Sequence, residues 1–289
     1  MTSSHIAETV KKAIDVIRAK STGKPGGLAF SVTINFHPDR FTKDGQLILE
    51  SISRDGQLKS QFETGTSNGG LTAYPGGSRW LWEKRVFDGA YDDAPSYLRP
   101  KYGALNYNML ETGAAPRFGS AFLSLKQHVI FRTTFCYPDS FFEPDNFASH
   151  EYVDSLIQLV NEDNQDELDS YIEAHIHGVV ALSTDVDYLA LDPIYKGTAI
   201  EAQAQALPVE IPWYSGYDLS IDEIEKYPDY RGVQFVELAR DISEHNRINP
   251  FLLGLAVNSK GYDPQDVKKV WHYLARFGYN NRHIEKVPS

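Results

Sequence analysis

Residues 171–195 read YIEAHIHGVVALSTDVDYLALDPIY, and the rest of the chain is interpreted around them. Side chains alternate along a strand, so Ile172, Ala174 and Ile176 face one side and Glu173, His175 and His177 the other. Gly178 lets the chain bend. DVDYLALDP predicts a second strand after a turn, closed by Asp192-Pro193. A carboxylate and two imidazoles on one strand face have two readings. They are the solvated side of an edge strand, or they line a cleft in which Glu173 does chemistry.

The chain has 289 residues, 42% of them hydrophobic and 23% charged. That composition suits a soluble globular protein with room for a full core. The formal net charge of -11 argues against a nucleic-acid groove, which needs clustered Lys and Arg. No apolar run reaches the length of a membrane span, and the N-terminal residues lack the apolar segment of a signal peptide. Cys136 is the only cysteine, so no internal disulfide forms. The expected location is cytoplasmic, or inside a host cell after delivery as an effector without a cleaved signal peptide. Neither nucleic acid nor membrane is an expected partner.

Ile6, Val10, Ile14 and Ile17 recur at helical spacing and predict a helix over 5–20. LAFSVTINFH predicts a strand. Residues 47–70 predict a helix or strand, a turn at Asp55-Gly56, and a second strand entering a glycine-rich loop. Residues 70–100 look loop-rich, RPKYGALNYNML suggests a short helix, and 116–140 one or two strands. A helix is expected within 150–170. After Pro212 the texture is helical, with Ser220 and Asp263-Pro264 as starts and Gly278 as a stop. The chain thus divides into an N-terminal helix (1–25), a main domain (26–212) and a helical C-terminal region (213–289). Strands that do not alternate with helices argue for an α+β class.

Several segments carry candidate binding residues. In FETGTSNGG, Gly65, Gly69 and Gly70 carry no Cβ and let backbone approach a ligand, while Thr66, Ser67 and Asn68 add short polar groups. Neither a Walker loop nor a G-x-G-x-x-G fingerprint is present. VFDGAYDDAP sets Tyr91 beside Asp92 and Asp93, and RPKYGALN follows with Arg99, Lys101 and Tyr102. Aromatic rings suit a planar ligand, and Arg suits a diphosphate. Arg117, Ser120 and Asp139 are further candidates for one cleft. Cys136, within TTFCY, reads as a buried structural thiol. His37, His175, His177 and Asp139 form an alternative, metal-binding set, although no CxxC or HExxH accompanies them.

Taken in order, these segments resemble the ADP-ribosyltransferases of the poly(ADP-ribose) polymerase and diphtheria-toxin type. QFETGTS is similar to the strand end whose glycine holds the nicotinamide amide, with Gly65-Thr66 as the matching pair and Thr64 where the family has histidine. FDGAYDDAP is similar to the segment bearing a tyrosine and an acidic residue. PKYGALNY is similar to the family's tyrosine-bearing helix, with Tyr102 or Tyr107 as the stacking ring. YIEAHIHGVVALSTDVDYLALDP resembles the hairpin that carries the catalytic glutamate, which falls at Glu173. TSNGGLTAYPGG, RPKYGALN, PRFGSA, TFCYPDS and YIEAHIHG also resemble the CteC-like effectors, a mostly bacterial family that modifies a threonine of ubiquitin.

The resemblance implies a split antiparallel sheet with a helical C-terminal appendage, and an enzyme that consumes NAD+ as a substrate. Glu173 would stabilise the oxocarbenium-like ribose, with Asp92 or Asp93, or failing these Asp139, as its acidic partner. The backbone at Gly65 would hold the carboxamide. Tyr91 and Tyr102 would sandwich the ring, with Thr64, Thr66, Ser67, Asn68 and Arg99 completing the site. The acceptor would be a protein hydroxyl, ubiquitin among the candidates, and no metal is required. The alternatives are a metal-dependent hydrolase built on His37, His175 and His177, and a non-enzymatic protein-binding module.

Overall fold

The computed structural model describes residues 3–26, 30–65 and 71–279. Its centre is a sheet of seven strands: β1 (Ser31–Phe36), β2 (Lys101–Asn106), β3 (Ala121–Leu125), β4 (Thr133–Tyr137), β5 (Asn146–Ser149), β6 (Glu173–Ile176) and β7 (Val186–Ala190). Every pairing is antiparallel, in the spatial order β5-β4-β6-β2-β1-β3-β7. The α+β expectation holds. The expected split into two half-sheets does not: β6 bonds to β4 on one side and β2 on the other, and β2 continues to β1.

The second correction concerns residues 171–195, which form no hairpin. β6 lies inside the sheet, whereas β7 is an edge strand separated from it by β2, β1 and β3. The intervening chain is diverted by its own local bonds. Val180 and Ala181 pair with Gln57 and Leu58 in a separate small ladder. Leu182–Asp185 then makes one helical turn, and the Asp185 carboxylate accepts from the Ala181 N–H at 2.8 Å.

Among the described residues there are eight longer helices: α1 (Ser3–Lys20), α2 (Ile48–Asp55), α3 (Ser78–Val86), α4 (Asp154–Glu162), α5 (Ala199–Gln205), α6 (Val233–Ile242), α7 (Pro250–Asn258) and α8 (Pro264–Phe277). One sheet face carries the main apolar core. Ile172, Ala174, Ile176, Phe135, Leu105 and Leu123 pack there under Leu49, Leu156, Val160 and Ile200. The opposite face is covered at β4 and β5 by α1, through Ala13 and Ile17, and by α3 through Trp82 and Val86.

The C-terminal helices keep a core of their own around Trp271, Tyr273 and Ile242. They meet the end of the sheet through Trp271, whose Nε1–H donates to the Pro116 carbonyl at 3.0 Å and whose ring meets His37 edge-on. The predicted boundaries stand: Ser220 and Asp263 cap helices by accepting backbone N–H groups, and Gly278 closes α8. Among the described residues no helix is long and apolar enough to cross a membrane.

Three local expectations change. RPKYGALNYNML forms strand β2 instead of a helix. QFETG is not a strand end: Gln61–Thr64 is a single helical turn, because Ser60 and Glu63 form a reciprocal capping box and Gly65 ends it in the left-handed region. Within the loop-rich 70–100 stretch lies α3. Its buried residues are Arg79, Trp82, Glu83 and Val86, at i, i+3, i+4 and i+7. Two of those four are charged, so no apolar stripe announces the helix.

Candidate functional site

The polar face of β6 is enclosed instead of solvated, because Trp82 of α3 and Phe87 and Tyr91 after it pack on the two imidazoles. Glu173 is 6% exposed, and His175 and His177 are fully buried. The pleat sets them beside matching residues of the neighbouring strands. Thr134 and Tyr102 flank His175, and Cys136 flanks Glu173. α3 lowers Arg79 and Glu83 onto this face.

The side chains form one directional chain of hydrogen bonds. Burial pushes the Glu173 carboxyl up, but the His175 hydrogen bond, the Arg79 charge and the Ser140 hydroxyl outweigh it and hold Glu173 below the usual range. Burial drives both histidines down toward the neutral form. A carboxylate can only accept. His175 Nε2–H therefore donates to Glu173 Oε1 at 3.2 Å, and Nδ1 is left to accept from the Thr134 hydroxyl at 3.1 Å. Thr134 Oγ1 then accepts from His177 Nε2–H at 2.9 Å. His177 Nδ1 accepts from the Tyr91 hydroxyl at 2.6 Å. Each imidazole spends one donor and one acceptor.

The other side of Glu173 is equally built. Ser140 Oγ donates to Oε2 at 2.9 Å and itself accepts from the Arg79 guanidinium at 2.8 Å. That guanidinium lies 4.0 Å from Glu173 and 4.0 Å above the Tyr102 ring. Arg79 Nε is buried with no acceptor. Tyr102 O–H donates to Glu83 at 2.7 Å, Glu83 pairs with Arg99 at 2.5 Å, and Arg99 donates on to the Tyr91 carbonyl at 2.9 Å. The network thus closes on itself.

Asp139 is the second carboxyl of the site. It begins the turn Ser140–Phe142, accepts from the Phe141 N–H at 3.0 Å, and takes the Tyr171 hydroxyl. Burial, then the Glu173 charge, raise its pKa against the Tyr171 bond and Arg117. Two neighbouring carboxyls are thereby pushed in opposite directions.

Thr134→Val tests the chain. Without the hydroxyl, His175 Nδ1 loses its donor. The ring should then pass from one Nε2–H tautomer to a mixture, read from imidazole ¹⁵N shifts, with a stability loss of about 1–3 kcal/mol. A single unchanged tautomer would show that something else orients His175.

Of the residues expected at the site, Glu173, Tyr91, Arg99 and Tyr102 converge here. The two rings expected to sandwich a planar ligand are packed against protein groups. The Tyr91 ring lies parallel to His177 with centroids 6.0 Å apart, and Tyr102 is covered by Arg79. Asp92 instead pairs with Lys84 at 2.9 Å on the surface side, and Asp93 is exposed. Thr64 and Gly65 are exposed on their capped turn, where the Gly65 carbonyl accepts from Lys43 Nζ at 2.9 Å. Thr66, Ser67 and Asn68 lie outside the described residues. Ser120 bonds to the Tyr195 hydroxyl, and Arg117 to Asp169.

The metal set of His37, His175, His177 and Asp139 does not assemble, since His37 packs on Trp271 and both other histidines are spent on Thr134. Among the described residues the group with ligand atoms close enough is Cys136, Glu173 and His175, within 4.8 Å. It fits a cation poorly. Burial and the Glu173 charge push the Cys136 thiol well up, the near nitrogen of His175 carries its proton, and Arg79 already neutralises Glu173.

The sequence profile of a family described as protein of unknown function (DUF3626) matches residues 31–163 and 146–277. The chain belongs to the DUF3626 family. The DUF3626 match begins at β1 and runs through the last turn of α8, so Asp139 and Glu173 both fall within it. No curated protein matches the chain.

Proposed function

We propose that the protein is an NAD+-dependent mono-ADP-ribosyltransferase that modifies a hydroxyl group of a protein. One observation carries this reading: Glu173 is held as a buried anion beside Asp139, a second carboxyl whose pKa is raised. Breaking the bond between the nicotinamide nitrogen and ribose C1 develops positive charge on the ribose. A fixed carboxylate stabilises that charge, and it acts strongly because it needs no reorganisation at the moment of reaction. Nicotinamide leaves as a neutral base, the acceptor oxygen bonds to C1, and its proton passes to Asp139. A carboxylate with a raised pKa is the better base for a hydroxyl.

The resemblance of YIEAHIHG and TFCYPDS to the CteC-like enzymes supports the same assignment and makes ubiquitin the first acceptor to try. Gly65 and the pair Asp92 and Asp93 have no part in this version, and Tyr91 orients His177 instead of holding a ligand.

The test is incubation with NAD+ labelled in the adenylate, with ubiquitin and separately with a eukaryotic lysate, followed by mass spectrometry. ADP-ribose on a hydroxyl residue is the expected product. Absence of both transfer and nicotinamide release would sink the reading.

A further inference from the structure

The loop that joins β4 to β5 has two sides, and the carboxylate chemistry uses one of them. Inward, it supplies Asp139 and Ser140, whose Oγ donates to Glu173 at 2.9 Å. Outward, it displays Phe141 and Phe142, which are 62% and 53% exposed. Their rings meet edge to face with centroids 5.5 Å apart, so each is covered partly by the other and otherwise by water. Single exposed apolar side chains are ordinary, whereas a contiguous exposed patch marks a surface of interaction. The two rings leave on the order of 200 Å² in water. That is too little for a whole interface, which buries roughly 800 Å² on each partner, but it suits the aromatic anchor at the centre of one.

The loop holds this anchor still. The Phe141 N–H donates to the Asp139 carboxylate at 3.0 Å, the Phe142 N–H to the Asp139 carbonyl at 3.0 Å, and the Glu143 N–H to the Ser140 carbonyl at 3.3 Å. At the base, Tyr137 pairs with Asn146 in the ladder. Rings fixed before binding lose little freedom on it. The neighbouring charges name the kind of partner. Glu143 and Asp145 are exposed on either side of the buried Pro144. Among the described residues neither carboxylate is paired with a cation. Local structure gives no reason for a glutamate at 143, because its φ of 49° lies in the left-handed region, which Gly or Asn occupies at lower cost. The exposed side of the loop is thus an apolar centre with an anionic rim, on a chain whose net charge is -11. Its complement is an apolar patch edged by Lys and Arg.

We infer that the loop 138–145 is the docking site of the protein acceptor, and that the acceptor meets it with an apolar patch edged by Lys and Arg. Ser140 bonds to Glu173 and Phe141 follows it in the chain, so a protein seated on the rings is brought beside the carboxylate pair. Naming the partner as the acceptor rests on the transferase reading. The docking surface itself does not.

Titration of ¹⁵N-labelled ubiquitin with the full chain, in the absence of NAD+, tests the site. Amide shifts should fall on apolar residues of ubiquitin that are edged by Lys and Arg. Replacing both rings, Phe141→Ser with Phe142→Ser, should weaken binding about tenfold or more, as for the loss of an aromatic anchor. Glu143→Lys and Asp145→Lys should each weaken it about threefold, and added salt should lower the wild-type affinity more than theirs. All four side chains are exposed, so the variants should melt with the wild type, which separates lost docking from lost folding. Absence of shifts at millimolar protein would overturn the inference, as would unchanged affinity in the double phenylalanine variant or tighter binding in the charge-reversed ones. Docking without transfer would sink the transferase reading alone. Transfer that survives the double variant at full rate would sink the docking site alone.

Discussion

Glu173→Gln should lower ADP-ribosyl transfer by roughly 10²- to 10³-fold, the usual cost of losing one preorganised electrostatic contact to a transition state. The substitution keeps the shape of the side chain and removes its charge. In the native protein that charge is held in place by His175 Nε2–H, Ser140 Oγ and the Arg79 guanidinium. All three groups are in place in the protein alone, so the carboxylate does not have to find its position during the proposed reaction. Labelled NAD+ and single-turnover rates read the effect, with urea unfolding as the control for folding. Undiminished transfer by a folded Glu173→Gln protein would move the chemistry elsewhere.

The pH profile carries the matching signature. Glu173 is lowered and stays ionised through mildly acidic pH, whereas Asp139 is raised and becomes protonated first. The proton-accepting form of Asp139 is therefore lost as pH falls through its raised pKa. Transfer should decline on that acid limb, and the limb should vanish in Asp139→Asn along with most of the rate.

Arg99→Met is expected to destabilise the protein by about 3–5 kcal/mol, the cost of leaving a buried charge unpaired. The Glu83 side chain is fully buried and that of Arg99 is 5% exposed. Burial already raises the Glu83 pKa, even with Arg99 and Tyr102 opposing it. Without Arg99 the carboxylate loses its largest compensating charge. The sign of the pH dependence follows. A carboxyl whose folded pKa lies above its unfolded value costs stability when ionised. The deficit of Arg99→Met should thus be greatest above the folded pKa of Glu83 and shrink as pH falls and Glu83 is protonated. Urea titrations at neutral and mildly acidic pH measure both effects. A double variant, Arg99→Met with Glu83→Gln, should recover part of the loss, because no charge is then left buried. A single variant within about 1 kcal/mol of wild type would show that this pair is not what holds α3 to the sheet.

The candidate site was legible in the sequence wherever its logic was local. The period-two alternation of YIEAHIHG places Glu173, His175 and His177 on one face whatever the strand's surroundings, and that placement holds. Helix starts at Ser220 and Asp263 depend on a side chain reaching backbone two or three residues on, so they too are written in a few residues. Capping also works against the expected reading. The Ser60–Glu63 box turns QFET into a helical turn and removes Gly65 from the place the resemblance assigned to it.

What the tertiary structure alone decided is which polar residues meet. Strand order is set by long-range pairing, and no local pattern states that β6 lies between β4 and β2 while β7 goes to the far edge. That order brings Thr134 between the two histidines. Asp139 lies close enough to feel the Glu173 charge, whereas Asp92 is drawn outward by Lys84. α3 escaped detection for a related reason. A helix is recognised by its apolar stripe, and this one turns Arg79 and Glu83 inward, where Glu173 on the sheet and Arg99 just before β2 meet them. The sequence by itself determined that Glu173 and two imidazoles share a face. Only the folded sheet, by burying that face against side chains from distant segments, fixed which groups hold the carboxylate.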